Sequence, residues 1–266
     1  MKMILSFLSI IVPVVVSAQV DVTLFSERTA EGIVIYGKNS ESCPVSVNLS
    51  LQMENIAPAT TRTLFVIPAK AEKHPVLALK PVDVAKRYAF NFRYDKNLGD
   101  ATLINYDKNY AYALPFSPGA AYRMSQGYNG RFSHTGENSI DFTMPEGSAV
   151  TAMRDGIVVK VVQYNKSGCP REECKPMNNT ITIYHEDGTL AEYAHLQYMG
   201  AKVKVGDKVH AGQVIGLSGN TGWSSGPHLH VSVFRPTPQG RETIQTLFKT
   251  ESGAVFLKEN ETYRQL

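Results

Sequence analysis

The chain has 266 residues, enough for one large or two modest domains. Lysine and arginine total 27 against 24 aspartates and glutamates, a formal net charge of +3 with no dense basic run, so the composition gives no case for a nucleic-acid partner. After the first residues no run is long and apolar enough to span a bilayer.

Met1 and Lys2 give a short charged start, Ile4 to Val16 form an apolar run, and Val16-Ser17-Ala18 is a small-residue cleavage site. This pattern predicts a signal peptide over 1–18 and an exported protein, periplasmic or extracellular. No cysteine follows the cleavage site, so a lipid anchor is not indicated.

Residues 19–115 predict an all-β, sandwich-like module. Val45, Val47, Leu49, Leu51 and Met53 alternate with polar residues, and Tyr88, Phe90, Phe92 and Tyr94 do the same. Gly32–Gly37 is a short strand between glycines. Tyr94-Asp-Lys-Asn97 recurs as Tyr106-Asp-Lys-Asn109, expected as two similar strand-end turns. Leu114–Ala120, with two prolines and a glycine, is the expected linker.

A second β-rich domain with little helix is expected over 120–245. Gly156–Val162 and Asn179–Tyr184 are strong β runs, and Glu186-Asp-Gly-Thr189 is a hairpin turn signal. Residues 246–266 are expected to form a polar extension. Cys169 and Cys174 fit a small disulfide loop better than a metal pair, because no second cysteine pair lies nearby. Cys43 has no evident partner and is expected to be a buried thiol.

The chemistry concentrates around His228-Leu229-His230, which precedes Val-Ser-Val-Phe234 and reads as a strand. Positions i and i+2 of a strand share a face, so both imidazoles would reach one site. His134 and Asp141 upstream, and His195 in Tyr193-Ala-His195-Leu, extend the set. Two imidazoles and one carboxylate, leaving a fourth position for water, form a common catalytic zinc set. His185 and His210 are expected at the surface, and His74 carries no chemistry. The glycines around 219–226 lack a following lysine or helix start, which argues against a nucleotide loop and for a loop shaping a groove mouth. Trp223 beside them either lines that groove or is an ordinary half-buried aromatic.

In its ordered elements (His134 with Asp141, then His195-Leu, then His228-Leu-His230) the stretch 122–235 resembles the M23 family of zinc metallopeptidases, the lysostaphin-like or LytM-type endopeptidases. Six residues separate His134 from Asp141, where the best-known members have three, and Asp141 stays assigned as the ligand. The resemblance implies a LytM-type catalytic domain holding one zinc ion on His134, Asp141 and His230. It implies His195 and His228 as catalytic histidines outside the ligand set. The implied reaction is hydrolysis of peptidoglycan stem peptides or cross-bridges through a zinc-activated water. The competing readings are a non-catalytic activator of other wall hydrolases, against which the full set of five residues argues, and a secreted peptidase acting on proteins. A protein partner bound through the N-terminal module remains open.

Overall fold

The computed structural model describes residues 20–266, so the signal-peptide expectation lies outside the described residues. The architecture is all-β, and the one helical piece among the described residues is a 3-10 turn at Glu172–Met177. No described helix is long and apolar enough to cross a membrane.

Seven strands come first: β1 (Val22–Thr29), β2 (Gly32–Asn39), β3 (Val45–Glu54), β4 (Ile56–Pro58), β5 (Leu64–Ile67), β6 (His74–Pro81) and β7 (Ala89–Leu98). They form two sheets, ordered β1-β2-β6-β4 and β5-β3-β7. The alternation in β3 is what lets them pack: Val45, Val47 and Leu49 join Ile33, Ile35 and Leu79 of the other sheet in one apolar cluster. Across β3 and β7, Leu49 faces Tyr94, Leu51 faces Phe92 and Met53 faces Phe90. That pairing continues to Ser46 opposite Asn97, so Tyr94–Asn97 lies inside β7 and is no turn. Ladder hydrogen bonding has overridden the local Asp/Asn preference there, whereas Lys108 and Asn109 do turn.

The chain continues through β8 (Ala111–Tyr112), β9 (Ala121–Gln126), β10 (Ser139–Phe142), β11 (Ala149–Thr151), β12 (Gly156–Val162) and β13 (Gly168–Cys169). Then come β14 (Thr180–Tyr184), β15 (Leu190–Ala194), β16 (Lys208–Val209), β17 (Val214–Leu217), β18 (Gly222–Trp223) and β19 (Leu229–Thr237). The last are β20 (Gly240–Ile244), β21 (Leu247–Thr250), β22 (Gly253–Val255) and β23 (Thr262–Arg264). The principal sheet runs β16-β12-β14-β15-β19-β10-β9-β23, with β20 paired to β19.

Alternation along these strands gives the sheet two unlike faces. Ile181, Ile183, Ala191, Tyr193, Val231, Val233 and Ile140 point into the larger apolar core. Their neighbours in sequence, Thr180, Thr182, Glu192, Ser232, His230, Ser139 and Asp141, share the opposite face. At one end of that polar face the residues turn apolar. Leu190 and Phe234, paired across β15 and β19, are buried there with Cys43 of the first module, and Leu98 packs against them. Gly99 lies so close to this end that a Cβ would meet Pro236 at 2.8 Å and Leu190 at 3.2 Å. The module is therefore seated on the same face that carries the polar row.

Two segments behave differently from their expectation. Tyr112, Leu114 and Phe116 are at most 2% exposed and belong to the larger core, so the stretch around Leu114 is not a free linker. Prolines 115 and 118 hide a period-two apolar pattern from a composition-based reading. Residues 246–266 are likewise no polar extension. There β21 pairs with β8, β23 pairs with β9 at the edge of the principal sheet, and Phe248 and Leu257 are core residues.

Candidate metal centre

The register of four strands assembles the centre. Asp141 in β10 stands opposite His230 in β19, which on its other side faces Ala194 in β15, and Gln126 in β9 faces Asp141. These four residues form one row across the polar face. His134 arrives from the loop between β9 and β10, and His195 follows directly after β15. His228 enters two residues before His230 and lies 3.9 Å from Asp141 by its Nε2. All five residues named from the sequence are thus brought together.

The spacing of three of them suits a metal. His134 Nε2 lies 3.2 Å from His230 Nδ1 and 3.3 Å from Asp141 Oδ1, and His230 Nδ1 lies 2.9 Å from the same oxygen. Tetrahedral zinc with ligand bonds of about 2.0–2.1 Å has ligand–ligand edges of about 3.3 Å. The three atoms therefore sit at the corners of one face of such a tetrahedron, and among the described residues this trio is the His/Asp cluster able to hold an ion. Burial opposes ionisation of Asp141, but hydrogen bonds to His134 and His230 overcome it and hold the carboxyl well below the ordinary carboxylate range. A carboxylate kept ionised in a buried site is ready to ligate.

Neighbouring groups fix the ring orientations. A carbonyl oxygen only accepts, so His134 Nδ1–H donates to Gly127 O (3.0 Å) and leaves Nε2 free to ligate a metal ion. His195 Nδ1–H donates to Thr221 O (2.7 Å), and His228 Nδ1–H donates to Gly226 O (2.8 Å). Both of these histidines are left with Nε2 as the free ring nitrogen, and both line the groove beside the trio. Burial, followed by the neighbouring His228 and His230, pushes His195 down to about 3, so its imidazole is neutral.

His195 has φ of +60°, a left-handed conformation that costs a non-glycine residue about 1–2 kcal/mol. Its backbone N–H donates to Asn178 Oδ1 at 2.8 Å, which together with the Thr221 contact holds the ring against that strain. Gly222, at φ of +79°, makes this possible: a Cβ there would strike Asn178 at 2.7 Å.

Two cavities that share Ser133, His195, Trp223 and His230 in their walls flank the trio and together make up the groove. On one side it widens to about 530 Å³ between Phe132, Ser133, Trp223 and Ser225. On the other it narrows to about 270 Å³ among Glu137, Ser139, Glu192 and Arg241. Trp223 lines both parts, next to the Cys169–Cys174 disulfide, which is formed. β13 pairs Cys169 with Trp223, so the cross-linked loop is part of the wall. Cys43 is a free, buried thiol, raised to about 12 by burial.

Several residues of the site had no signal in the sequence. Gln126, whose Nε2 donates to Asp141 Oδ2 at 3.2 Å, is visible only through strand register. Asn178, Thr221 and the Glu192–Arg241 pair belong to no spaced motif. His210 is exposed beside Asp155, as expected. His185 is not a surface residue: it is fully buried, its Nδ1–H donates to Asp155 O at 2.8 Å, and burial pushes it down to about 4.

An all-β domain with two imidazoles and a carboxylate at tetrahedral spacing on one sheet face defines, as a class, a candidate metal-dependent hydrolase. More particularly, residues 135–243 match the model of peptidase family M23, a stretch that begins one residue after His134 and contains the other four site residues. Over that stretch the chain is similar to peptidase family M23. It is 39% identical over 129 residues to the glycyl-glycine endopeptidase ALE-1 of Staphylococcus capitis, covering 48% of this chain and 29% of that one. It is 34% identical over 143 residues to the peptidoglycan DD-endopeptidase ShyA of Vibrio cholerae, covering 52% of this chain and 29% of that one. The match thus spans about a third or less of these curated relatives. Among solved structures, the catalytic domain of the M23 protein EnpA from Enterococcus faecalis is 28% identical, with a TM-score of 0.37 over 48% of this chain and 93% of that one.

Proposed function

We propose that the protein is an exported zinc metalloendopeptidase that hydrolyses peptide bonds in peptidoglycan. The observation that carries this reading is the trio His134, Asp141 and His230, whose ligand atoms lie 2.9–3.3 Å apart with two more histidines beside them. The peptidoglycan substrate is carried over from the similarity to the peptidoglycan DD-endopeptidase of Vibrio cholerae. Export comes from the N-terminal segment.

When bound, zinc supplies Lewis acidity at the scissile carbonyl and acidifies water. The chain's own residues do the rest. The neutral His195, held by Thr221 and Asn178, offers Nε2 to accept a proton or a hydrogen bond. His228, anchored at Gly226, offers Nε2 to hold or move the second proton. Gln126 orients Asp141 through Oδ2 and leaves Oδ1 towards the two ligand histidines. The sheet face forms the floor, and Phe132 and Ser133 on one side and Trp223 on the other form walls that direct a peptide past the trio.

Purified peptidoglycan should be digested with the zinc-loaded protein and the fragments identified by mass spectrometry. Release of cleaved stem or bridge peptides, lost on adding a chelator and regained with zinc, is the expected outcome. Intact peptides alongside cleavage of an unrelated protein would transfer the substrate to another class.

A further inference from the structure

One buried hydroxyl organises the loop that delivers His228. Ser224 is 6% exposed. Its Oγ donates to Asn220 Oδ1 at 2.6 Å and lies 2.9 Å from Gly226 O. A hydroxyl has a single proton, and the shorter of these contacts takes it. The lone pairs of the oxygen are then free to accept, and two N–H groups face them: His228 Nδ1–H at 3.1 Å and, more weakly, Gly226 N–H at 3.4 Å. Ser224 is fixed in turn by its own N–H, which donates to Cys169 O at 3.1 Å beside the disulfide.

The last rotatable bond of a histidine side chain is close to two-fold: a half-turn exchanges Nδ1 with Cδ2 and Nε2 with Cε1 and hardly changes the shape of the ring. In the observed orientation His228 Nε2 lies 3.9 Å from Asp141 Oδ1, at the metal trio. After a half-turn a C–H would stand there. The His195 ring packs against His228 with 4.5 Å between centroids, which restrains tilting but not this exchange. What separates the two orientations is the pair of acceptors at Nδ1, Gly226 O at 2.8 Å and Ser224 Oγ at 3.1 Å, because a ring C–H replaces neither bond.

We propose that Ser224 is a positioning residue: its hydroxyl accepts from His228 Nδ1–H and keeps Nε2 turned towards the metal trio. The consequence for turnover rests on reading His228 as an acid–base group. Because Ser224 also lines the wide cavity, direct contact with the substrate is the competing role, and the test separates the two.

The test is a double-mutant cycle on the full-length, zinc-loaded protein, read by the peptides released from peptidoglycan. Ser224→Ala alone is expected to lower kcat about 10-fold, equivalent to one intramolecular hydrogen bond at the upper end of its usual net contribution, with KM and zinc content unchanged. In a His228→Ala background the same substitution should have no further effect. An equal loss in both backgrounds would overturn the proposal, since Ser224 would then act on the substrate or the fold directly. Nuclear magnetic resonance of isotope-labelled histidines supplies a readout independent of activity. The His228 Nδ1–H signal, identified by its disappearance in His228→Ala, should exchange with water faster in Ser224→Ala. The signal of His195, held by Thr221 O, should not. Unchanged exchange at His228, or equal acceleration at His195, would also overturn the proposal. Ser224→Thr keeps the hydroxyl and should stay near the wild type in both readouts. Impairment of this variant equal to that of Ser224→Ala, or loss of zinc from both, would make the role of the residue structural and defeat the proposal. Faster exchange confined to His228, in a protein that cleaves no peptidoglycan, would support the positioning and defeat the peptidase reading instead.

Discussion

His185 gives the protein a definable acid sensitivity. It is fully buried, and burial pushes it from an ordinary 6.5 down to about 4. The unfolded chain therefore binds a proton at this residue between those two values while the folded chain does not. Stability from this group is present in full above pH 6.5 and falls as the pH drops towards 4. With 1.36 kcal/mol per pKa unit, the loss relative to pH 7 is about 2 kcal/mol at pH 5 and about 3 kcal/mol at pH 4. That is a large share of the roughly 5–15 kcal/mol typical of a domain. Substituting His185→Asn keeps an N–H near the position of Nδ1, where it can donate to Asp155 O, and removes the titration. Urea unfolding of the zinc-loaded wild type and the variant at pH 7, 6 and 5 isolates the difference, because other groups, including the metal ligands, titrate in both. The variant should start less stable but lose about 2 kcal/mol less between pH 7 and 5. Equal losses in the two proteins would refute the reasoning.

Other outcomes follow from the same geometry. His230→Ala removes one corner of the ligand trio, and metal analysis should find most of the zinc gone; unchanged zinc would move the ligand assignment elsewhere. His195→Ala and His228→Ala should retain zinc and lose about 10²–10⁴-fold in turnover, as expected for a missing acid–base group, and near wild-type rates would remove that histidine from the mechanism. A chain begun at Ser117 lacks the core residues Tyr112, Leu114 and Phe116, and at about 2–5 kcal/mol for each large buried side chain it should not fold, as circular dichroism would show. A cooperative, active truncation would contradict the packing. Replacing Cys169 and Cys174 by serine should cost about 2 kcal/mol from loop closure and raise KM through the Trp223 wall; peptide mapping that finds two free thiols in the native protein would dismiss the cross-link.

Much of this protein was legible one strand at a time. The alternation of Val45, Val47 and Leu49 determined which face of β3 is buried, and the i, i+2 spacing of His228 and His230 placed both rings on one face. Cys169 and Cys174 were close enough in sequence to be paired from it. These features depend on local period and short spacing, which sequence carries directly. The tertiary structure decided what depends on which strands become neighbours. Register placed Gln126 opposite Asp141 and Asp141 opposite His230. Sheet pairing turned residues 246–266 from a polar tail into edge and core strands, and buried Tyr112, Leu114 and Phe116 among prolines. It also buried His185, because only the fold supplies the Asp155 carbonyl and the Tyr112 ring that surround it. A strand's pattern states that one face will be covered; what covers it is contributed by residues far away in the chain, and no local spacing records them.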